Sequence, residues 1–434
     1  MSGPRSVGFA SPDGATKLLA VLTLINLFNY LDRFIVAALE ESLTRGELHL
    51  SDFQFGTLTT AFLIVYMLTS PLFGALGDRG RRNRLIAAGV AIWSVATALA
   101  GFARSFAGLF ASRAGVGVGE AAYGTISPAM LADSYPKAQR GRVFAIFFSA
   151  IPIGTALGYV VGGFVDRHFG WRAAFFVAGL PGLLLALMAY LLKDPPRGAQ
   201  DGEEVPGGAP SPRSAGALGA YRDVLRNPLY RLTVLGYAAY TFAVGGLAIW
   251  MPGFLERTRG VPKQEATVTF GAIVVVTGFT GTFLGGWLGD RLLPRLRQSY
   301  LWVSGAATLV AAPLAATALL SRSPGVFYGA MVLAEVLLFM STGPVNSAIV
   351  NVVAPGERAT AVALSILTIH VLGDVPSPPL IGVISDHSSL DRALLVVPAA
   401  IVVAGLIWMY AAWRGETAEK RTSSPPAEPP AEEG

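Results

Sequence analysis

The sequence predicts an all-α membrane protein: twelve transmembrane helices in two pseudo-symmetric six-helix bundles. Three observations carry this. Of 434 residues, 53% are hydrophobic and only 14% charged, with mean hydropathy +0.53, too apolar for a water-soluble globule. Twelve apolar runs of bilayer-spanning length follow one another, each bounded by charged residues or Pro/Gly clusters. A short pattern, F-G-A-L-G-D-R at 73–79, returns as G-G-W-L-G-D-R at 285–291, at equivalent places in the two halves.

Taken in order, the spans of the first half are expected over 17–39, 53–77, 85–102, 106–131, 143–165 and 173–192. Residues 1–16 show no signal-peptide cleavage pattern and the first span is full length, so it should be retained. A Pro/Gly/Ser-rich polar stretch without apolar periodicity follows and reads as a linker over 194–228, separating a bundle at 1–193 from a second at 229–413. The second half repeats the plan over 229–253, 268–288, 300–320, 326–350, 360–384 and 394–413. Residues 414–434 end in a Pro- and acid-rich stretch and are expected to be a disordered tail. If both ends lie inside the cell, the inner segments hold 22 Lys and Arg against 9 outside, and Arg33 and Arg113 complete the 33. That asymmetry places both termini and the linker in the cytoplasm of a multi-pass cell-membrane (inner-membrane) protein.

The fourth span carries charge where lipid permits little. Arg113 and Glu120 are seven residues apart, about two turns at ~3.6 residues per turn, so both project from one face. An ionised side chain at the bilayer centre costs at least ~2.5–3.5 kcal/mol, so that face looks at protein or a wet cavity. Gly117 and Gly124 continue the stripe, which suggests close helix packing beside the charges. The first span adds N-Y-L-D-R, with Asp32 and Arg33 past its midpoint. Two acids and two arginines imply one polar site inside the membrane; a buried pair that only orients helices is the alternative. The run G-V-G-E-A-A at 117–122 looks like a dinucleotide fingerprint, but that fingerprint needs a preceding strand, and here it lies within a membrane helix.

Composition excludes other classes. With no cysteine, there is no disulfide, thiolate nucleophile or cysteine-ligated metal. The net charge of +5 and pI of 9.4 come from basic residues dispersed among short connections, which serves topology and not nucleic-acid binding. No nucleophile, base and orienter set and no metal-ligand cluster is visible, so an enzyme is disfavoured and no cofactor or metal is expected.

The stretch from Gly74 through Asp78, Arg79 and Arg82 to Arg84 resembles the loop between helices 2 and 3 that marks the major facilitator superfamily. A finer resemblance, to the Spinster family of lipid transporters, rests on N-Y-L-D-R in helix 1, R-x-x-x-G-V-G-E-A in helix 4, G-G-L-A-I-W-M-P in helix 7 and H-V-L-G-D-V-P-S-P-P-L-I-G-V-I-S-D at 370–386. This resemblance implies a secondary transporter working by alternating access, proton-coupled, for a small amphiphilic lipid such as a lysophospholipid or sphingoid-like molecule. A proton-coupled carrier of drug-like or organic-anion solutes is the alternative. A monomer in the lipid bilayer is expected.

By the same resemblance Asp32, Arg33, Arg113 and Glu120 form the charged network that couples protonation to transport. The chemistry agrees, since a neutral glutamic acid crosses a low-dielectric step far more cheaply than a carboxylate; Glu120 is the first choice for the proton and Asp32 the second. Arg33 and Arg113 stay charged and can hold a carboxylate or an anionic headgroup. Asn29 and Tyr30 are candidate substrate contacts. His370 and Asp374, at i and i+4, share a face and read either as a polar cluster near Pro376 or as a second proton site. Glu335, alone in an apolar run, either lines the cavity or pairs structurally. Asp78, Arg79, Arg82, Asp290 and Arg291 lie at the cytoplasmic rim and read as gate residues, because plain topogenic charge does not account for the repeated aspartate.

Overall fold

The computed structural model describes residues 12–201 and 217–423, and all regular structure among them is helical. The bilayer leaves little choice: with no water to satisfy backbone polar groups, an apolar run crosses as a helix. The first half comprises α1 (Pro12–Ala38), α2 (Asp52–Arg79), α3 (Arg82–Ala100), α4 (Phe106–Ser134), α5 (Arg140–Phe169) and α6 (Trp171–Tyr190). The second comprises α7 (Pro228–Arg257), α8 (Lys263–Leu292), α9 (Ser299–Leu320), a broken α10 (α10a, Pro324–Phe339; α10b, Thr342–Asn351), a broken α11 (α11a, Arg358–Ile369; α11b, Ser377–His387) and α12 (Val396–Ser423). Eleven of the described spans are long and apolar enough to cross a membrane. The long helix outside that set is α4, whose apolar character is diluted by Arg113, Glu120 and its Gly, Ser and Thr residues. Large apolar side chains such as Leu68, Leu72, Val160, Phe164 and Leu184 point outward, as a lipid-facing surface requires.

Local chemistry sets several helix ends. Ser51 and Gln54 form a reciprocal capping box at the start of α2, and the Asn227 side chain accepts from Leu229 N and Tyr230 N ahead of Pro228 at the start of α7. Two expected helices are interrupted. The run expected over 360–384 contains a π turn at His370–Asp374, where Val375 N donates to the His370 carbonyl at 3.2 Å. Pro376 follows without an N–H to continue the α pattern. The run expected over 326–350 breaks between Phe339 and Thr342, just before Pro344.

One further expectation is corrected. The tail expected to be disordered from 414 is helical to Ser423: Glu416 accepts from Gln298 N at 2.9 Å, giving this turn a tertiary partner; residues 424–434 lie outside the described residues. The linker is not free of structure. Residues 194–201 bond to the helix ends, and Ala217–Arg226 is a helix with its own packing on α11a; residues 202–216 lie outside the described residues.

Each half packs largely within itself, α1 on α5, α2 on α4 and α3 on α4 and α6, then α7 on α12 and α9 on α10a and α12. The halves meet through α2 against α11a and α5 against α8. At the second crossing backbones touch: a Cβ at Gly141 would lie 2.5 Å from the Gly286 carbonyl oxygen, and one at Gly286 would collide with the Gly141 carbonyl. Gly286→Val should therefore destabilise this closure by roughly 1–3 kcal/mol of overpacking. The native chain lacks cysteine, so paired spin labels on introduced cysteines flanking α5 and α8 report it directly; distances that do not lengthen would refute the close-approach reading.

Candidate functional site

A cavity of about 160 Å³ lies between the halves, lined by α1, α2, α4 and α5 on one side and α7, α10b and α11 on the other. Its polar patch is Asn26, Asn29, Tyr30, Arg33 and Glu120 facing Asn346 and His370; Phe147, Phe148, Ile151, Ile366 and Ile369 supply apolar wall. The four intramembrane charges come together as two pairs, each across α1 and α4. Arg33 Nη2 donates to Glu120 Oε2 at 2.6 Å, and Arg113 Nη1 reaches Asp32 Oδ1 at 3.5 Å. Adjacent residues on a helix point about 100° apart, so Asp32 and Arg33 serve different partners. Asp32 is turned away from the cavity and also accepts from Thr97 Oγ1 at 2.6 Å. Phe62 joins the two pairs, with the Arg33 and Arg113 guanidinium carbons 4.7 and 5.5 Å from its ring centroid.

Arg33 also lies over Tyr30 at 4.7 Å and Tyr66 at 5.5 Å, an aromatic enclosure for its guanidinium. Beside it, buried Glu120 Oε1, Asn29 Nδ2 and Arg33 Nε have no protein hydrogen-bond partner. Three buried hydrogen-bonding groups beside the cavity are left without a protein partner, which a water or ligand reaching them would satisfy. Gly117 and Gly124 face α2 as the stripe suggested: a Cβ at Gly117 would lie 2.6 Å from the Phe62 carbonyl oxygen, and Gly124 lies under the Tyr66 hydroxyl.

For two candidate residues the structure shows the structural one of the two expected roles. Arg113 is only 2% exposed and does not line the cavity, because its guanidinium is committed to Asp32. Glu335 is likewise outside it: this carboxylate accepts from Thr277 Oγ1 at 2.9 Å and borders a separate, apolar void of about 60 Å³ between α7, α8 and α10a. His370 does reach the cavity, edge-on to Tyr66 at 5.7 Å, and its Nδ1 lies 2.9 Å from Asp374, the pairing that i, i+4 spacing allows and the π turn retains.

At the end of the bundle that carries the linker, two carboxylates cross between halves reciprocally. Asp78 of α2 accepts from Ala359 N at 3.0 Å and Thr360 N at 2.8 Å, the first amides of α11a. Asp290 of α8 accepts from Gly141 N at 2.8 Å and Arg142 N at 3.0 Å, the first amides of α5. Each carboxylate meets the positive end of a helix dipole. Arg82 does not cross: it bonds Asp133 and Asp194. Arg291 stacks over Trp287, and Arg79 ends α2.

Sequence reasoning missed the residues between these latches. Arg358 bonds Asp133, Arg140 bonds Asn351, and both arginines bond Asp201 of the linker at 2.7–2.8 Å. Burial opposes ionisation of Asp201, but Arg358 and Arg140 outweigh it and hold its carboxyl below the usual range. A signal existed: Pro136 and Arg140 open α5 as Pro355 and Arg358 open α11a, and each arginine donates to a carbonyl eight residues back, Ala132 and Val350.

The model of the Major Facilitator Superfamily matches residues 22–373. Protein spinster homolog 3 of Danio rerio is 35% identical over 421 residues, spanning 90% of this chain and 83% of that protein. The chain belongs to the Spinster family. Protein spinster homolog 1 of Homo sapiens is also 35% identical, over 89% of this chain and 76% of its own length. A protein of Arabidopsis thaliana named probable sphingolipid transporter spinster homolog 1 is 28% identical over 90% and 87%. Among solved structures, a bacterial homologue of the human lysosomal transporter Spinster, inward-facing and unoccupied, is 25% identical with TM-score 0.65 over 94% of this chain and 99% of that one. The human organic anion transporter MFSD10, 18% identical, shares the fold at TM-score 0.73. This Spinster-family chain is thus a multi-pass transporter and not an enzyme.

Two outcomes are expected from this geometry. Asp78→Asn removes the charge from one helix-terminus contact, ~0.3–2 kcal/mol, and should open the latch end, read as longer spin-label distances between α2 and α11a. Arg33→Lys keeps charge but loses the planar fork and most of the aromatic stacking, ~0.5–2 kcal/mol. Ligand affinity should fall about two- to thirtyfold while Arg113→Lys leaves it nearly unchanged; the reverse ranking in a binding titration would return the contact to Arg113.

Proposed function

We propose that this protein is a proton-coupled secondary transporter of an amphiphilic lipid with an anionic or zwitterionic head. It works by alternating access between a bundle at 1–193 and one at 229–413, joined by a cytoplasmic linker. The observation that carries the reading is the Arg33–Glu120 pair on the cavity wall, with a buried Glu120 oxygen left unpartnered beside an apolar surface. Such a pair has two states. With the site dry, the carboxylate needs Arg33; when an anionic headgroup takes Arg33, Glu120 is left charged and alone, and a proton neutralises it. The headgroup and the Glu120 carboxylate thus compete for Arg33, and the proton loads onto Glu120 as the headgroup displaces it. Asp32 is bonded to Thr97 and Arg113 and does not line the cavity, which favours Glu120 as the coupling acid.

The positive-inside bias assigns the latched end to the cytoplasm, with both termini there in an inner membrane, so this is a state closed to the cytoplasm. A cavity of 160 Å³ is below the ~300–1,000 Å³ of drug-sized sites. The headgroup fits here and the chain requires the halves to part further along the apolar wall formed by Phe147, Phe148 and Ile151. A single chain holds the complete site, consistent with a functional monomer.

Uptake into proteoliposomes with and without an imposed pH gradient, across a panel of lysophospholipids, sphingoid bases and organic anions, tests the reading. Glu120→Gln mimics the protonated acid, so binding should survive while gradient-driven accumulation disappears. Full gradient-driven transport in Glu120→Gln, with loss in Asp32→Asn, would move the coupling proton to Asp32.

A further inference from the structure

On the outer surface of the bundle, where α5 and α8 meet at the latched end, an open slot of about 410 Å³ is walled by Ile146, Phe283, Leu284 and Trp287, with Arg142 at its rim. None of these side chains lines the central cavity. Arg142 spends Nε on Asp290 at 3.1 Å, yet its side chain is 59% exposed, so the rest of the fork is free to bind outward. Trp287 is 47% exposed, and the Arg291 guanidinium carbon lies 5.9 Å from its ring centroid. One cation, Arg142, therefore lines an apolar slot on the outer surface, and a second, Arg291, lies against its Trp287 wall.

We infer that this slot binds an anionic phospholipid of the surrounding leaflet and that the lipid reinforces the Asp290 latch. The apolar wall suits an acyl chain, and an indole between arginines at helix ends is the composition of a bilayer interface. Arginine binds phosphate through paired N–H donors. A zwitterionic head would also need a carboxylate for its cation, and the nearby one, Asp290, is already taken by Gly141 N, Arg142 N, Arg142 Nε and the Tyr300 hydroxyl. The charge left over at the slot is positive. A phosphate that holds the Arg142 fork also holds its Nε on Asp290, so lipid binding and latch closure share one side chain.

The binding arm does not depend on what the protein transports. Protein is reconstituted in phosphatidylcholine vesicles doped with brominated phosphatidylglycerol or, at equal fraction, brominated phosphatidylcholine, and tryptophan fluorescence is read. The anionic lipid should quench more, and the excess should vanish in Trp287→Phe and fall several-fold in Arg142→Gln and in Arg291→Gln. Arg291 does not touch Asp290, so the second variant keeps the test if the first fails to fold. Equal quenching by the two lipids, or an excess unchanged in the arginine variants, overturns the site. Stronger quenching by a brominated lysolipid than by phosphatidylglycerol would assign the slot to the transported amphiphile and overturn it too. For the coupling, spin labels across α5 and α8 should show phosphatidylglycerol raising the closed population at least twofold in the native chain and not in Arg291→Gln; equal populations in both lipids overturn the link to the latch.

Discussion

A charge in the low-dielectric interior has to be paired, and that requirement organises this bundle. Four ionisable side chains lie at membrane depth on α1 and α4, and the two pairs they form, Arg33 with Glu120 and Arg113 with Asp32, set how the two helices face each other. Close approach follows from small residues: Gly117 lets α2 come within contact of α4, which brings Phe62 and Tyr66 over the guanidiniums. The pairs are unequal. One is sealed among Thr97 and packed helices, and the other is open to the cavity with an acceptor unspent. Of the two, only the Arg33–Glu120 pair borders the cavity.

The closed end obeys the same rule by another means. Asp78 and Asp290 are satisfied by the first amides of a helix from the opposite half, so each half supplies one carboxylate and one helix terminus. Between them Arg140 and Arg358 converge on Asp201, which draws the linker into the seal. Each contact is worth little alone. Acting together they can decide which conformation is populated, yet stay weak enough to be broken in each cycle.

The lipid-facing slot beside Asp290 extends this logic to the bilayer. Arg142 is at once a latch partner and an exposed cation, so a lipid bound there, as inferred above, would act on the latch from outside the bundle.

The residues alone determined the helical membrane class, the duplicated halves, the four intramembrane charges and the repeated aspartates at the loops. Apolar run length, lysine and arginine distribution and the cost of charge in lipid are local or compositional properties. What only the tertiary structure decided was partnership. Asp32 and Arg33 are neighbours in sequence but are directed to different arginine and glutamate partners on α4, and Glu335, as apolar in its surroundings as Glu120, faces a different void. The Asp201 clasp was illegible for the same reason: a linker aspartate acquires its meaning from two arginines, 61 and 157 residues away. Helix rotation and packing choose which face meets which, and those choices arise from contacts spread over the whole bundle.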